Sequence, residues 1–496
     1  MSSLLRTKSV ADIQATLDEA EGHGLKRTLT AFDLTMLGIG AVIGAGIFSA
    51  IGTAATGEVA ADGTVIRYGA GPALILSFLL LGVVCALAGL CYAELTSMIP
   101  IAGSAYTYAY AALGELVAWI IGWDLILEYA VGNAAVAIAW SDYFCSFLRV
   151  FGIGVPLWLS TSYREVMASA PQRVAELPLF MGHHIAINIP GIAIVAVITW
   201  LLVIGIKESA RANNAMVVLK LAVLALFVGV GVFYIDPANW TPFAPNGWKG
   251  IHQGAAIVFF AYIGFDAIST AAEETKDPQK NMPRGILGSL AICTVIYVIV
   301  GAVATGLVPY QQLKGSDPLA KAFEVAGITW GQAIISLGAT ISMTAVLLVF
   351  QLGQPRIFFS MSRDGLLPPW FRKIHPKYRT PHVTTIATGV VVALGCSLLG
   401  KDEVYDLTNI GTLFAFVIVC LGVLALRIKE PTRPRPFRVP LVWIVAPLGA
   451  LACFSVMGGL PPTAWYRFGI WMVLGSAIYF LYGFKNSKLA GGGSRT

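Results

Sequence analysis

The sequence predicts an all-α polytopic membrane protein of twelve transmembrane helices, with two five-helix repeats of opposite orientation and two further helices appended. Three observations predict it: 57% hydrophobic and only 12% charged residues over 496 positions, about half the charge of an ordinary soluble domain; twelve apolar runs of spanning length; and breaks in two of those runs at corresponding places. The runs, numbered segments 1 to 12, fall at about residues 31–57, 71–98, 104–138, 190–206, 212–235, 251–273, 284–309, 328–358, 381–399, 404–427, 439–459 and 464–484.

The first 29 residues are polar and carry the mixed-charge stretch Asp12 to Glu21. That pattern lacks the basic start and short apolar core of a cleaved signal peptide, and predicts a cytoplasmic amphipathic helix lying on the membrane. Segment 1 is interrupted by Gly38, Gly40, Gly44 and Gly46 in GIGAVIGAGIF, and segment 6 between Phe260 and Asp266 in FAYIGFD. A helix in lipid cannot leave backbone groups unpaired, so a run that tolerates such a break lines a cavity inside the protein. Between segments 3 and 4, residues Ser141 to Ile189 hold Pro156, Pro171 and Pro178, and are expected to form a structured cap over an outer vestibule.

Segments 1 and 6 lie five spans apart, and an odd number of spans per unit inverts the second copy. This is the five-plus-five inverted repeat of the LeuT type, in which paired broken helices mark a secondary transporter's substrate site. The expected units are residues 30–235 for the first repeat, 250–428 for the second, 438–485 for segments 11 and 12, and 486–496 for a flexible tail ending in GGGSRT.

Placing the N-terminus in the cytoplasm puts 23 of the 33 Lys and Arg on the cytoplasmic side, 9 outside, and Lys220 alone within a span. The bias follows the positive-inside rule, with the loops Arg363 to Arg379 and Arg427 to Arg438 contributing most. Both termini are therefore expected in the cytoplasm of a multi-pass plasma-membrane protein. The net charge of +6 reflects orientation and implies no nucleic-acid partner. Seven scattered cysteines, Cys85, Cys91, Cys145, Cys293, Cys396, Cys420 and Cys453, without CxxC spacing, indicate neither a disulfide framework nor a metal site.

Several spaced motifs carry a family resemblance: GAGIF in segment 1, GSAYTYAYAALGELVAWIIGWDLILEYAVGN in segment 3, GIKES closing segment 4, FFAYIGFDAISTAAEETKDPQKNMPRGI running out of segment 6, and SRDGLLP after segment 8. Over residues 25 to 430 the chain resembles the amino acid, polyamine and organocation superfamily, and within it the cationic amino acid transporter branch in its bacterial form. The resemblance implies secondary active transport of L-amino acids across a bilayer, with the proton as coupling ion and no other cofactor.

A half-helix beginning at Ala45 presents free amides and a positive dipole end to a carboxylate. The resemblance implies that amides around Gly44, Ala45 and Gly46 hold the substrate carboxylate, while carbonyls near Val42, Ile43, Phe260, Ala261 and Ile263 receive its ammonium. Tyr262 lies in the same stretch, and Phe260 is the candidate aromatic lid. The alternative for segment 1 is helix packing, since Gly40-x-x-x-Gly44 fits the small-xxx-small pattern. In segment 8, TISMTA offers Thr340, Ser342, Met343 and Thr344 as a side-chain wall; Met343 facing the cavity would favour small neutral substrates, whereas the branch name favours cationic ones. Asn133 either borders the cavity or bonds between helices.

Ionisable groups within spans are functional candidates. In sodium-coupled relatives a cation bridges segments 1, 5 and 8, and the resemblance implies that the Lys220 ammonium takes its place, with deprotonation a step of the cycle. The alternative is snorkelling to the interface. In segment 3, Asp124 and Glu128 share a helix face, while Glu115 points nearly opposite to Asp124; two acids one turn apart resist joint ionisation. Glu115 is expected to pair with Arg356 or Arg363 at an inner gate. Asp266, at the unwound stretch of segment 6, is the candidate gating or proton-sensing acid.

Other classes fit poorly. Gly395 to Lys401 mimics a phosphate-binding loop, but Asp402 replaces the required Ser or Thr and the run joins two apolar segments. No HExxH or GxSxG occurs, and the six histidines sit at loops or span ends, so the chain is not expected to be an enzyme. A non-transporting amino acid sensor is the alternative function, and a channel the lesser one. Oligomeric state and protein partners are not legible.

Overall fold

A computed structural model describes residues 6–7, 28–60, 62–99, 104–205, 210–315 and 317–489. The expected amphipathic helix over the first 29 residues and the GGGSRT tail lie almost wholly outside them. Among the described residues, eight helices are long and apolar enough to cross a membrane, and a ninth span is the pair Ala31–Val42 and Gly46–Thr56, bent by 41°. Three shorter apolar helices, Ile189–Ile204, His382–Leu398 and Val442–Met457, match segments 4, 9 and 11. Sixteen helical residues reach about 24 Å, less than the roughly 30 Å hydrocarbon core. The chain is thus a mostly helical polytopic membrane protein. Many of its large exposed side chains, Val473 and Leu451 among them, sit on apolar helices, the arrangement expected where the solvent is lipid.

Segment 1 starts at a capping box in which Thr30 and Asp33 satisfy each other's backbone amides. Segment 2 is a single helix, Leu74–Met98. Segment 3 differs from expectation at both ends. Gly114, at φ 105°, interrupts it after Ser104–Ala112, and from Glu115 the helix runs through a π turn at Leu127–Val131 to Val150. No apolar break marks residue 138, because the amphipathic stretch beyond it buries one face against segment 8. Segments 5, 7, 8 and 10 are Ala210–Gly231, Pro278–Leu307, Thr329–Arg363 and Lys401–Lys429; segment 12 is Pro462–Ile478 followed by a π turn.

The connection after segment 3 is ordered: two short helices, a 3-10 turn and a small hairpin. It docks on the start of segment 10, where Ser162 donates to the Leu399 carbonyl at 2.8 Å and Glu165 accepts the Lys401 amide at 2.7 Å. A second hairpin, Gly57–Val59 with Val65–Tyr68, follows segment 1. From it the buried Arg67 guanidinium forks onto Asp406 of segment 10 at 2.9 and 2.7 Å and reaches Glu58 at 2.8 Å. Deleting one member of a buried pair leaves the other charge uncompensated, at a cost of about 3–5 kcal/mol. Arg67→Met is therefore expected to lower the thermal unfolding temperature markedly; an unshifted transition would show the hairpin is not held by this pair.

Candidate functional site

Segment 1 stops being helical at Ile43, whose ψ of 98° is extended, and resumes as a π turn from Gly46. The residues across this break are buried. Among the described residues, the amides of Gly44, Ala45 and Gly46 donate to no carbonyl or side chain. Buried amides left unpaired are rare because each costs a lost hydrogen bond. Three in succession at the start of a half-helix form an anion cradle.

Segment 6 breaks against it. Its helix Gly247–Val258 tightens to a 3-10 turn at Phe259–Ala261, opens, and continues as 3-10 from Asp266 to Glu274. Gly264, at φ 112°, makes the opening; a Cβ there would come within 3.1 Å of the Ala41 backbone. On the facing side, a Cβ on Gly46 would overlap the backbone Cα and N of Ala261. The two breaks therefore touch main chain to main chain, a contact that packing glycines alone would not require at the point where both helices unwind.

Side chains fix the freed carbonyls. The Tyr297 hydroxyl of segment 7 lies 3.0 Å from the Val42 carbonyl and 2.8 Å from that of Ala261, spanning both breaks. The Lys220 ammonium donates to Gly40 and Ile43 carbonyls at 2.7 and 3.0 Å, so it is buried on the break and does not snorkel to an interface. Cations belong at such helix C-termini. Of the segment 8 candidates, Ser342 reaches the Ile43 carbonyl at 3.4 Å, and Val346 lies against Gly44. Thr340 and Thr344 donate within their own helix, Thr344 also accepts from the Trp140 indole of segment 3 at 2.9 Å, and Met343 is fully buried. Tyr262 donates to the Phe78 carbonyl at 2.8 Å, and the Phe260 ring packs on Tyr405 with centroids 4.7 Å apart.

Tyr297 did not stand out in the sequence, although a tyrosine centred in an apolar segment signals a hydroxyl in need of a partner. Tyr297→Phe removes one donor shared by two carbonyls, worth about 1–3 kcal/mol where acceptors stay buried. Transport by that variant is expected to fall roughly tenfold, read as initial uptake in proteoliposomes; a rate within twofold of the parent would show the bridge is dispensable.

The acids arrange differently from the helical-wheel expectation. Glu128 has Asp266 as its foremost charged neighbour, with Asp124 secondary, because the unwound stretch of segment 6 brings Asp266 across to segment 3. Both Asp266 carboxylate oxygens are buried with no hydrogen-bond partner among the described residues, and the Asp124 carboxylate sits against Gly411 of segment 10. Among the described residues, Glu115 forms no ion pair with Arg356 or Arg363. Its carboxylate accepts from Tyr110 at 3.1 Å, Tyr479 at 3.0 Å and Ser487, as the C-terminal residues after segment 12 fold beneath segment 3. Asn133 donates to Gln351 at 3.1 Å, which donates onward to Thr199, while the Asn133 carbonyl oxygen has no partner among the described residues.

A cavity of about 160 Å³ opens on the side where segment 1 begins and segment 8 ends. Asp33, Asn214, Glu274 and Arg356 line it, and it closes at Ala41, Tyr129, Ala267 and Gly353. It thus ends one residue short of the Val42 carbonyl and beside Asp266. On the other side the path is shut by Phe260 on Tyr405 and by Tyr143, whose hydroxyl donates to the Phe48 carbonyl at 2.5 Å. Beyond this lies a separate cavity of about 550 Å³ that includes Glu58, Glu165, Lys401 and Asp402.

Residues 29–485 match the family model described as amino acid permease. Over 489 residues the chain is 47% identical to the branched-chain amino acid permease BcaP of Bacillus subtilis (strain 168), covering 98% of this chain and 99% of that one. It is 46% identical to the methylthioribose transporter of the same organism, covering 99% and 100%. With cationic amino acid transporter 9, chloroplastic, of Arabidopsis thaliana, it shares 37% identity over 86% of this chain and 72% of that one. These relatives are transporters and permeases, not enzymes. Broken segments facing each other across a buried row of free amides, and a match that runs from the first segment to the last, place the chain in the amino acid permease family of the amino acid, polyamine and organocation superfamily.

Proposed function

We propose that the chain carries L-amino acids across the plasma membrane by proton-coupled alternating access, on twelve spans of the LeuT type with both termini cytoplasmic. One observation supports this above the others: the unpaired amides of Gly44, Ala45 and Gly46 sit directly against the opened stretch of segment 6. In this reading the substrate carboxylate takes those amides. Its ammonium takes the second lone pairs of the Val42 and Ala261 carbonyls, together with those of Phe260 and Ile263. The proton is held between Glu128 and Asp266, and Lys220 ties the state of segment 5 to the break. The cavity ending at Ala41 is the cytoplasmic route, consistent with the excess of Lys and Arg on that side.

Recognition through main chain leaves the side chain to be chosen by segment 8. Val346 against Gly44, with Met343 buried nearby in sequence, favours small or branched neutral side chains. Cationic substrates are the second reading, favoured by the similarity to cationic amino acid transporters. Counterflow in proteoliposomes with radiolabelled alanine, leucine and lysine tests both. Saturable accumulation of alanine or leucine supports the first reading, and of lysine the second. Binding without flux would make the protein a sensor, and nonsaturable flux a channel.

A further inference from the structure

We propose that the connection between segments 8 and 9, residues 365–382, is a docking site for the anionic headgroups of a lipid bilayer. It holds Arg372, Lys373, Lys377 and Arg379, with no Asp or Glu anywhere from Gly365 to His382. All four bases are exposed, and among the described residues none of them has an acidic partner. The other basic loop is different. There Arg427 and Arg435 are bound to Glu94 at 2.7 and 3.3 Å, and Arg433 to Glu430 at 2.5 Å. Charge in the 8–9 connection is therefore unspent, whereas Glu94 and Glu430 offset part of the charge in the 10–11 connection.

Apolar side chains are interleaved with these bases. Trp370 is 43% exposed, Ile374 50% and Tyr378 37%. Indole and phenol rings beside lysines and arginines at the end of membrane helices match the headgroup layer, where an apolar body and a polar tip are both satisfied. A soluble anionic partner would use the bases and leave Trp370 and Ile374 in water. A bilayer uses both, each base near an anionic surface adding about 1 kcal/mol.

The connection is also held in shape before any lipid arrives. Ser362 donates to the Pro368 carbonyl at 2.9 Å, Trp370 stacks on Phe371 at 3.8 Å, and Phe371 packs on Phe358 of segment 8. At the other end Thr380 donates to the Val203 carbonyl of segment 4 at 2.7 Å. The His375 amide donates to the Thr380 carbonyl and the Arg379 amide to that of His375. A preordered loop loses little conformational entropy on binding. Through Phe358 it touches segment 8 two residues past Arg356, a wall of the 160 Å³ cavity, so headgroup occupancy bears on the rim of that cavity. The proposal requires only that this loop lie at a membrane face; it stands in either orientation and is independent of what is transported.

Native mass spectrometry of the full chain in micelles, titrated with equal amounts of dioleoylphosphatidylglycerol and dioleoylphosphatidylcholine, tests it. The parent is expected to retain the anionic lipid preferentially. In R372Q/K373Q/K377Q/R379Q that preference should fall at least about tenfold, whereas R433Q/R438Q should keep it. The double variant K373Q/K377Q gives the same readout should the quadruple one fail to fold. Trp370→Ala with Ile374→Ala retains every charge and should still weaken lipid retention. An unchanged preference in the charge variants overturns the proposal. So does full displacement of the lipid by inorganic phosphate at matched concentration, which would mark a free-anion site.

Discussion

Gly46→Ala is expected to abolish transport. The added methyl would overlap the backbone Cα and N of Ala261, and a main-chain neighbour cannot swing aside as a flexible side chain would. Segments 1 and 6 would have to part, carrying the three free amides and the Val42 carbonyl of segment 1 away from the Ala261 carbonyl of segment 6. Overpacking of this kind costs about 1–3 kcal/mol in stability. The functional loss should be larger, about 100-fold, because misplacing a binding group by about 1 Å forfeits most of its alignment. Counterflow in proteoliposomes measures it beside thermal unfolding, with Gly469→Ala, where an added Cβ meets nothing within 4 Å, as the tolerant control. Activity of Gly46→Ala within twofold of the parent would remove the touching breaks from the mechanism.

The two breaks were legible because they violate the rule that makes membrane segments readable. Gly38, Gly40, Gly44 and Gly46 interrupt one apolar run, and Gly264 with Asp266 interrupts its counterpart five segments later. Nothing comparable marks Tyr297, whose importance arises from where segment 7 passes the breaks. The acids show the same limit. A helical wheel pairs Asp124 with Glu128 because both belong to segment 3, yet Glu128 meets Asp266 first, since an unwound stretch can carry a side chain where no helical period would put it. Glu115 read as one half of a gate salt bridge because it lies near the cytoplasmic end of segment 3, where Arg356 and Arg363 were expected at the end of segment 8. Its actual partners, Tyr479 and Ser487, come from the far end of the chain. The hairpin that carries Arg67 was invisible for a simpler reason: strands of three and four residues are too short for an alternation to register.

Lys220 separates coupling from architecture. Its ammonium closes the carbonyl end of the first half-helix through Gly40 and Ile43, so Lys220→Ala removes a donor from two buried carbonyls, leaves Ile43 only the 3.4 Å contact from Ser342, and leaves the helix dipole without its counter-charge. Accumulation driven by an inward proton gradient is expected to fall at least about 100-fold, as loss of a charge-assisted hydrogen-bond pair implies. Lys220→Arg distinguishes the two roles. A guanidinium does not deprotonate in a protein, so it would hold the break closed while blocking any step that requires a neutral amine at this position. Under the coupling reading, Lys220→Arg loses gradient-driven accumulation yet keeps measurable exchange of alanine or leucine for its own labelled form. Under a purely structural reading, it accumulates substrate with the parent's pH dependence. That second outcome would leave Glu128 and Asp266 as the groups to carry the proton, because they are the buried acids the opened stretch of segment 6 brings together.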